Sequence, residues 1–239
     1  IHHYDTLILA TGSRPFVPEN AQLHLPGRFT IRKKDDADRL RNYLEQTQLP
    51  PEEQHVVIVG GGLLGLELAA ALKHKKVKIT IIQRASRLME RQLDRISSKL
   101  LAEEVQQRDI QIYFDNEVST VFSTNRAHEL EIALKSGRTL TANAIVYTIG
   151  TIPNIEVAKE AGLTCARGVK VNQYLQSSNP SIFAIGEIAE FNNQLFGITS
   201  AAEEQADILA NYLAGDISSH YKGSVLMNIL KLEDINLCS

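Results

Sequence analysis

Three glycines at the junction of a strand and a helix carry the strongest chemical signal in this chain. Gly60, Gly62 and Gly65 lie in the stretch VVIVGGGLLGLELAAAL. In this setting the GxGxxG spacing is typical of dinucleotide binding, since the glycines allow a tight turn, close approach to a pyrophosphate and tight helix packing. The helix N-terminus adds free N–H groups and a positive dipole. The sequence therefore predicts a dinucleotide site at this turn, and a purely packing role for the glycines is disfavoured.

The end of the next strand bears on which coenzyme binds. An acidic residue that accepts the adenosine ribose hydroxyls is expected there, about 20 residues past the turn. This chain has Gln83, followed by Arg84 and then Arg87. Gln83 is able to hydrogen-bond a hydroxyl and does not repel a 2′-phosphate, which an arginine would bind. The pattern favours tolerance of NADPH, with ligand and loop roles equally supported for Arg84 and a loop role favoured for Arg87.

Glu67 lies on the predicted helix two residues past the last glycine of the motif. Its carboxylate would be favoured by the helix dipole if it capped the first turn. Alternatively, it would face the nicotinamide carboxamide. Capping is the favoured interpretation from the sequence.

The elements around the turn predict an α/β fold with a Rossmann-like, doubly wound sheet. A strand from His55, a helix to about Lys73 and a strand over 77–83 form a βαβ unit. A further helix is expected over about 94–108, with an apolar stripe of Ile96, Leu100, Leu101 and Val105. The segments EVSTVFS, HELEIALK and TLTANAIVYTIG then predict a small antiparallel meander that leads back to the sheet.

Composition narrows the class of partner. The 239 residues are 44% hydrophobic and carry a net charge of -3 without a basic block, which disfavours nucleic acid and anionic membranes as partners. No apolar run reaches the roughly 20 residues that a membrane helix needs, and no secretory signal is recognisable, so a cytoplasmic location is expected. Cys165 and Cys238 are far apart, so neither a disulfide framework nor a metal site is predicted.

Four motifs together resemble the FAD-dependent pyridine nucleotide-disulfide oxidoreductase superfamily: YDTLILATGSRP, VVIVGGGLLGLELAAAL, AIVYTIGTIPN and SIFAIGEIAEF. They extend over nearly the whole chain. The resemblance implies an NAD(P)-binding domain inserted into an FAD-binding domain. We expect FAD-domain segments at residues 1–30 and 153–223, the nucleotide domain at 31–152, and the start of a truncated C-terminal region at 224–239. Within the superfamily, the chain is most similar to the flavoprotein segment of NAD(P)H nitrite reductases.

The same resemblance assigns residues to the two cofactors. Thr11 and Gly12 match a stretch that passes near FAD, and Gly186 and Glu187 match the late flavin motif. Most members of the superfamily have aspartate where this chain has Glu187, which would bond the ribityl hydroxyls. Gly150 matches a position on the nicotinamide side. Leu63 stands where many disulfide reductases have an aromatic lid, and Leu64 follows it in the same turn.

The implied function is that of an NAD(P)H-binding core that passes a hydride to FAD, with no catalytic side chain of its own. In nitrite reductases of this type, electrons continue to iron–sulfur and sirohaem centres. The alternatives are a ferredoxin or rubredoxin reductase and a non-catalytic NAD(P)-binding module. No second GxGxxG turn precedes Tyr4. We therefore expect the isolated chain to bind FAD weakly or not at all and to be inactive.

Overall fold

Two compact units make up the described part of the chain. The computed structural model describes residues 3–225, 229–232 and 235–238. One unit, here called the split unit, combines residues 1–14 with 151–227; the other, the inserted unit, combines 15–150 with 228–239. The larger segment of the inserted unit therefore interrupts the chain of the split unit, and its smaller segment follows it.

Short strands and five α-helices are present in the described residues. The strands are β1 (Leu7–Leu9), β2 (Ser13–Pro15), β3 (Arg28–Thr30), β4 (His55–Val59), β5 (Lys78–Ile82), β6 (Ile110–Tyr113), β7 (Val118–Ser123), β8 (Leu130–Leu134), β9 (Thr139–Ala142), β10 (Ala144–Tyr147), β11 (Thr151–Pro153), β12 (Val169–Val171), β13 (Ile182–Ala184), β14 (Ala189–Phe191), β15 (Gln194–Leu195), β16 (Ile229–Leu232) and β17 (Ile235–Cys238). The helices are α1 (Lys34–Gln46), α2 (Leu63–His74), α3 (Arg95–Gln107), α4 (Glu156–Glu160) and α5 (Thr199–Leu213), with short 3₁₀ turns at Glu19–Ala21 and Gly186–Ile188. None of the helices in the described residues is long and apolar enough to cross a bilayer.

The inserted unit is built on a parallel five-stranded sheet in the order β3-β10-β4-β5-β6. Helix α2 connects β4 to β5, and α3 connects β5 to β6. The predicted βαβ unit and Rossmann-like sheet are therefore confirmed. From β4 the chain continues to β5 and β6 on one side of the sheet, whereas β10 and β3 lie on the other side. The carboxyl end of β4 therefore lies at the topological switch point, where such sheets bind ligands.

The two faces of this sheet are covered differently. Side chains alternate between the two faces along a strand. Val56 and Ile58 of β4 therefore pack with residues of α1, α2 and α3, whereas Val57 belongs to a second apolar cluster on the opposite face. That second cluster contains residues of the antiparallel meander β7-β8-β9, such as Val121 and Ile132. The predicted meander is confirmed, and it covers the face opposite the helices.

The buried face of helix α3 differs from the predicted apolar stripe. Leu101 and Val105 are buried as expected, but Ile96 is 74% and Leu100 is 61% exposed. The buried face instead includes Ser98, whose hydroxyl donates to the Leu88 carbonyl at 2.6 Å. A polar anchor to the preceding loop sets the rotation, so assigning Ile96 and Leu100 to the core was wrong.

The boundaries of the units differ from the predicted domain limits at 30/31 and 152/153. The contacts divide the chain at 14/15 and 150/151. Residues 28–30 belong to the inserted unit because β3 pairs in parallel with β10, with Phe29 opposite Val146. Leu230 of β16 is fully buried and packs in the helix-side core of that unit. The rest of the predicted C-terminal region falls partly outside the described residues, at 226–228, 233–234 and 239.

The split unit brings distant segments of the chain together. Strands β1 and β13 pair in parallel, β2 pairs with β11, and β12-β14-β15 form a small sheet. Leu9 and Ile182 belong to one apolar core, and Phe183 and Leu209 belong to another. The parallel pairing of β1 with β13 places the carboxyl ends of two strands side by side.

Candidate functional site

The glycine turn follows β4 and leads into α2, and each motif glycine occupies a different environment. Gly60 has φ +113°, and a Cβ there would lie 2.7 Å from the Thr148 carbonyl oxygen. A Cβ on Gly65 would overlap the Gly60 carbonyl oxygen and lie 2.8 Å from Thr148 Oγ1. A Cβ on Gly62 would meet no atom within 4 Å. Gly60 and Gly65 are therefore required by packing, whereas Gly62 leaves open space beside the turn.

The open space lies at the N-terminus of α2. Gly62 precedes the helix and has no side chain with which to cap it. The first N–H groups of an α-helix have no partner within the helix, and they carry the positive end of its dipole. Gly62 thus leaves these N–H groups accessible, which suits a pyrophosphate.

Thr148, which directly follows strand β10, hydrogen-bonds the glycine turn. This role was not predicted from the sequence. The Thr148 hydroxyl lies 3.1 Å from the carbonyl oxygens of both Val59 and Gly60, to which it donates. Its backbone N–H also donates to Val59, at 2.8 Å. Gly150, two residues further on, is exposed with φ +111°. The signal in the sequence was that Thr148 lies two residues before Gly150 in the YTIG stretch.

Gln83 holds the turn from the other side. Its side chain is buried, and its Oε1 accepts the Gly61 N–H at 2.7 Å while its Nε2 donates to the Arg87 carbonyl at 3.1 Å. Met89 donates its N–H to the Gly61 carbonyl at 2.9 Å. The loop after β5 is therefore tied to the glycine turn, and Gln83 uses its amide for this purpose.

The remaining residues predicted for the nucleotide differ in exposure. Leu63 is half-buried and packs against the core, whereas Leu64 is 40% exposed and Arg84 is exposed. Glu67 is half-buried and lies beyond the first turn of α2, where no acidic residue is present. The Glu67 side chain makes no hydrogen bond with the described residues. The expected capping role was therefore wrong, because the helix starts four residues before Glu67.

The split unit brings the four predicted flavin residues together. Thr11 and Gly12 follow β1, and Gly186 and Glu187 follow its parallel partner β13. A Cβ on Gly12 would lie 3.8 Å from Glu187 Oε2, which also accepts the Ser13 hydroxyl at 3.0 Å. Residues 175 positions apart in the sequence are thus neighbours because their strands pair.

Two amide side chains that the sequence analysis missed support this group. Asn154 donates its Nδ2 to the Thr11 carbonyl at 2.9 Å, and its own carbonyl accepts the Thr11 hydroxyl at 2.6 Å. Gln205 of α5 is fully buried, and its Oε1 accepts the Gly186 N–H at 2.7 Å. Gln205 Nε2 has no hydrogen-bond partner among the described residues.

These residues suit a flavin nucleotide. The half-buried Glu187 carboxylate is an acceptor for sugar hydroxyls, and the buried Gln205 Nε2 is a donor without a protein acceptor. A buried donor of this kind is costly unless something satisfies it. The donor set therefore fits the FAD expected at this place.

Comparison with known proteins places the chain in a family. The model of the pyridine nucleotide-disulphide oxidoreductase family matches residues 2–206. The assimilatory nitrate reductase electron transfer subunit of Bacillus subtilis is 32% identical over 236 residues, which is 99% of this chain and 30% of that protein. The NAD(P)H nitrite reductase of the same organism is 33% identical over 241 residues, covering 100% of this chain and 29% of the relative.

A solved structure supports the same fold. The ferredoxin reductase for the CYP199A2 system of Rhodopseudomonas palustris superimposes with a TM-score of 0.89 at 28% identity, covering 98% of this chain and 57% of that one. The chain spans about 30% of the length of the two curated relatives. The family match extends over most of the chain and includes both groups of site residues. The chain therefore belongs to the pyridine nucleotide-disulphide oxidoreductase family.

Proposed function

We propose that this chain binds NAD(P)H at the glycine turn and, within the whole protein, contributes the Glu187 group to an FAD site, so that a hydride passes from NAD(P)H to FAD in the electron-entry part of a nitrite or nitrate reductase. The observation that carries the nucleotide site is the open space at Gly62 beside an uncapped helix N-terminus. The names of the two Bacillus subtilis relatives support the reductase type.

In the nucleotide half, the chain's task is to bind and orient. The first N–H groups of α2, including those of Leu63 and Leu64, hold the pyrophosphate where Gly62 leaves room. Gly150 lies beyond the adjacent strand β10 and borders the nicotinamide portion. Glu67, whose carboxylate has no hydrogen bond within the described chain, accepts one from the nicotinamide carboxamide.

In the flavin half, Glu187 accepts hydrogen bonds from the ribityl hydroxyls, and Thr11 and Gly12 bring the backbone close to the cofactor. Gln205 holds the Gly186 N–H and keeps its second amide group for the ligand. When bound, FAD supplies the acceptor for the hydride and the capacity to release electrons singly. No side chain of this chain needs to act as an acid or a base.

For the electron acceptor we propose an iron–sulfur and sirohaem domain, as in nitrite reductases. A ferredoxin reductase is the second candidate, favoured by the similarity to the Rhodopseudomonas palustris enzyme. NAD(P)H-dependent reduction of an added iron–sulfur ferredoxin by the FAD-loaded whole protein would favour the second candidate. The cytoplasmic location remains a prediction.

The variant Gly62→Ala tests the nucleotide site. Gly62 has φ -88°, which alanine adopts readily, and the added methyl group meets no protein atom. We therefore expect unchanged stability, but NAD(P)H affinity lowered about tenfold or more, because the methyl group occupies the space of the pyrophosphate. Calorimetric titration and thermal unfolding measure the two effects.

Gly197→Ala is the matched control, since a Cβ at Gly197 also meets nothing within 4 Å. It should change neither stability nor NAD(P)H affinity. Unaltered nucleotide binding by Gly62→Ala would contradict the assignment of the turn. A wild-type chain that bound neither NADH nor NADPH would contradict the assignment as well.

A further inference from the structure

The residue at the end of β5 is neutral and faces inward. Gln83 is 8% exposed, and both ends of its amide bond backbone groups, the Gly61 N–H and the Arg87 carbonyl. An acidic residue at this position would accept ribose hydroxyls and repel a phosphate on the same ribose. Here that negative charge is missing from the described turn, and the side chain stabilises the loop instead of extending toward a ligand.

The next residue, Arg84, is exposed and makes neither a hydrogen bond nor an ion pair with the described residues. The pKa of the Glu117 carboxyl is lowered mainly by a hydrogen bond from Lys135, and the positive charge of Arg84 makes a smaller contribution in the same direction. That bond is 2.8 Å long, so the Glu117 carboxylate already has a cationic partner. The guanidinium of Arg84 therefore keeps its N–H donors for an anion from outside.

A second guanidinium adds positive charge to the same loop. Arg87 is half-buried and donates from Nη2 to the Glu90 carbonyl at 2.9 Å, while its Nε is buried without a partner in the described chain. The nearby Asp94 carboxylate accepts the Ser97 N–H at 2.7 Å as the N-cap of α3. Arg87 is held by the fold, whereas Arg84 is free to move toward a ligand.

We infer that the glycine-turn site takes NADPH in preference to NADH, with Arg84 pairing with the 2′-phosphate and Gln83 acting as the positioning residue that holds the loop. This inference rests on the proposed binding of NAD(P)H at that turn. The planar guanidinium matches phosphate oxygens in a bidentate pair. The buried amide of Gln83 fixes the backbone from which Arg84 extends and adds no negative charge of its own beside the ribose.

Titrating the 239-residue chain with NADP⁺ and, separately, NAD⁺ tests the role of Arg84. Wild-type chain should bind NADP⁺ more tightly. Arg84→Ala should weaken NADP⁺ binding by about tenfold to a hundredfold, the usual range for a hydrogen-bonded charge pair, and change NAD⁺ binding by less than about twofold. Arg126→Ala, which removes an exposed arginine paired with Glu129 in the turn between β7 and β8, should change neither.

Gln83→Glu tests the positioning residue. A carboxylate keeps an acceptor for the Gly61 N–H, but it loses the donor to the Arg87 carbonyl and adds the repelling charge. The ratio of NADP⁺ to NAD⁺ affinity should fall about tenfold or more, whereas a merely structural role would weaken both nucleotides equally. Gln111→Glu places the same charge on the exposed edge strand β6 and should leave the ratio unchanged.

The outcomes separate this inference from the proposed function. Equal affinity of the wild-type chain for both nucleotides, or an Arg84→Ala variant that weakens both alike, would overturn the coenzyme preference and leave the nucleotide site standing. A wild-type chain that binds neither nucleotide would overturn both. A tighter NAD⁺ complex would show that Arg84 is an ordinary loop residue.

Discussion

At the scale of single residues, the site depends on polar groups whose partners are backbone atoms. Thr148 and Gln83 bond carbonyl and N–H groups of the glycine turn from opposite sides. Such bonds orient a turn without placing charge near the ligand. The buried groups that lack a partner are equally informative, because their cost must be offset elsewhere in the fold or by a ligand.

Tyr147 carries one such group. It is 2% exposed, its hydroxyl has no hydrogen-bond partner among the described residues, and burial raises its pKa to about 12. Tyr147→Phe removes the unsatisfied hydroxyl and keeps the ring. We expect the free energy of unfolding to stay equal or to rise by up to about 2 kcal/mol. Urea unfolding measures this change.

Tyr221→Phe is the matched comparison, because the buried Tyr221 hydroxyl shares a 2.7 Å hydrogen bond with Ser224 Oγ. That variant should lose about 1 kcal/mol. A Tyr147→Phe protein destabilised as much as Tyr221→Phe would show that the Tyr147 hydroxyl has a partner after all.

His55 predicts a pH dependence of stability. Burial lowers the pKa of its ring, and the charge of Lys78 lowers it further, against the opposing effect of the hydrogen bond to the Thr141 carbonyl. The neutral ring donates from Nδ1 to that carbonyl at 2.7 Å and accepts the Thr80 hydroxyl at Nε2 at 2.9 Å. Because the folded pKa lies below the unfolded value, the unfolded chain binds more protons. The stability should be full above about pH 6.5 and should fall as the pH drops toward the folded pKa.

Urea midpoints between about pH 7 and 5.5 measure the His55 effect. In His55→Gln the midpoint should be lower at pH 7 and should depend less on pH across this window. A wild-type midpoint that rises as the pH falls would contradict the sign of the shift.

At the scale of elements, α3 shows how a polar contact sets the rotation of a helix. The Ser98 hydroxyl reaches the Leu88 carbonyl in the loop that also contacts the glycine turn. Burying Ser98 places Leu101 and Val105 in the core and leaves Ile96 and Leu100 outside. Helix, loop and turn are therefore connected, and the loop that carries Arg84 is held at both ends.

The exposed leucine and isoleucine of α3 should tolerate polar replacement. Ile96→Glu and Leu100→Gln should each change the free energy of unfolding by no more than about 0.5 kcal/mol, since neither side chain is in the core. Leu101→Ala, which empties a buried position one residue from Leu100, should cost about 2 to 5 kcal/mol. Urea unfolding of the three variants gives the comparison, and a loss in Leu100→Gln as large as that in Leu101→Ala would restore the predicted stripe.

At the scale of the whole molecule, each unit carries its own group of site residues at the carboxyl ends of paired parallel strands. In the inserted unit these strands are β4 and β10, and in the split unit they are β1 and β13. Parallel pairing aligns carboxyl ends, so the loops that follow them collect polar groups at one edge. The two units therefore build their groups of candidate site residues by the same principle.

Hydrogen exchange should separate the two sites. Saturating NADPH should slow exchange at residues 60–66 and 83–89, whereas FAD, where it binds, should slow exchange at 11–13 and 186–187. A ligand at a hundred times its dissociation constant stabilises the binding state by about 2.7 kcal/mol, which is enough to measure. Protection of 11–13 by NADPH, with the glycine turn unchanged, would mean that the two sites were assigned the wrong way round.

The sequence alone determined the features that depend on local geometry. The positions of the glycine turn, the βαβ unit, the meander and the flavin motifs all follow from spacing, periodicity and family resemblance, and the family was confirmed. The positive φ of Gly60 and the close approach of Gly65 to the Gly60 carbonyl act within a few residues, so a short pattern is enough to reveal them.

Only the tertiary structure decided how these features are supported. Thr148 lies 88 residues from Gly60, yet its hydroxyl donates to the Gly60 carbonyl. Asn154 lies 143 residues from Thr11, yet its side-chain amide donates to the Thr11 carbonyl. The burial of the Gln83 amide and the exposure of the Ile96 side chain likewise depend on which other segments pack against them. Such contacts are made by strand pairing and packing between segments far apart in the chain, and no local pattern of residue types encodes them.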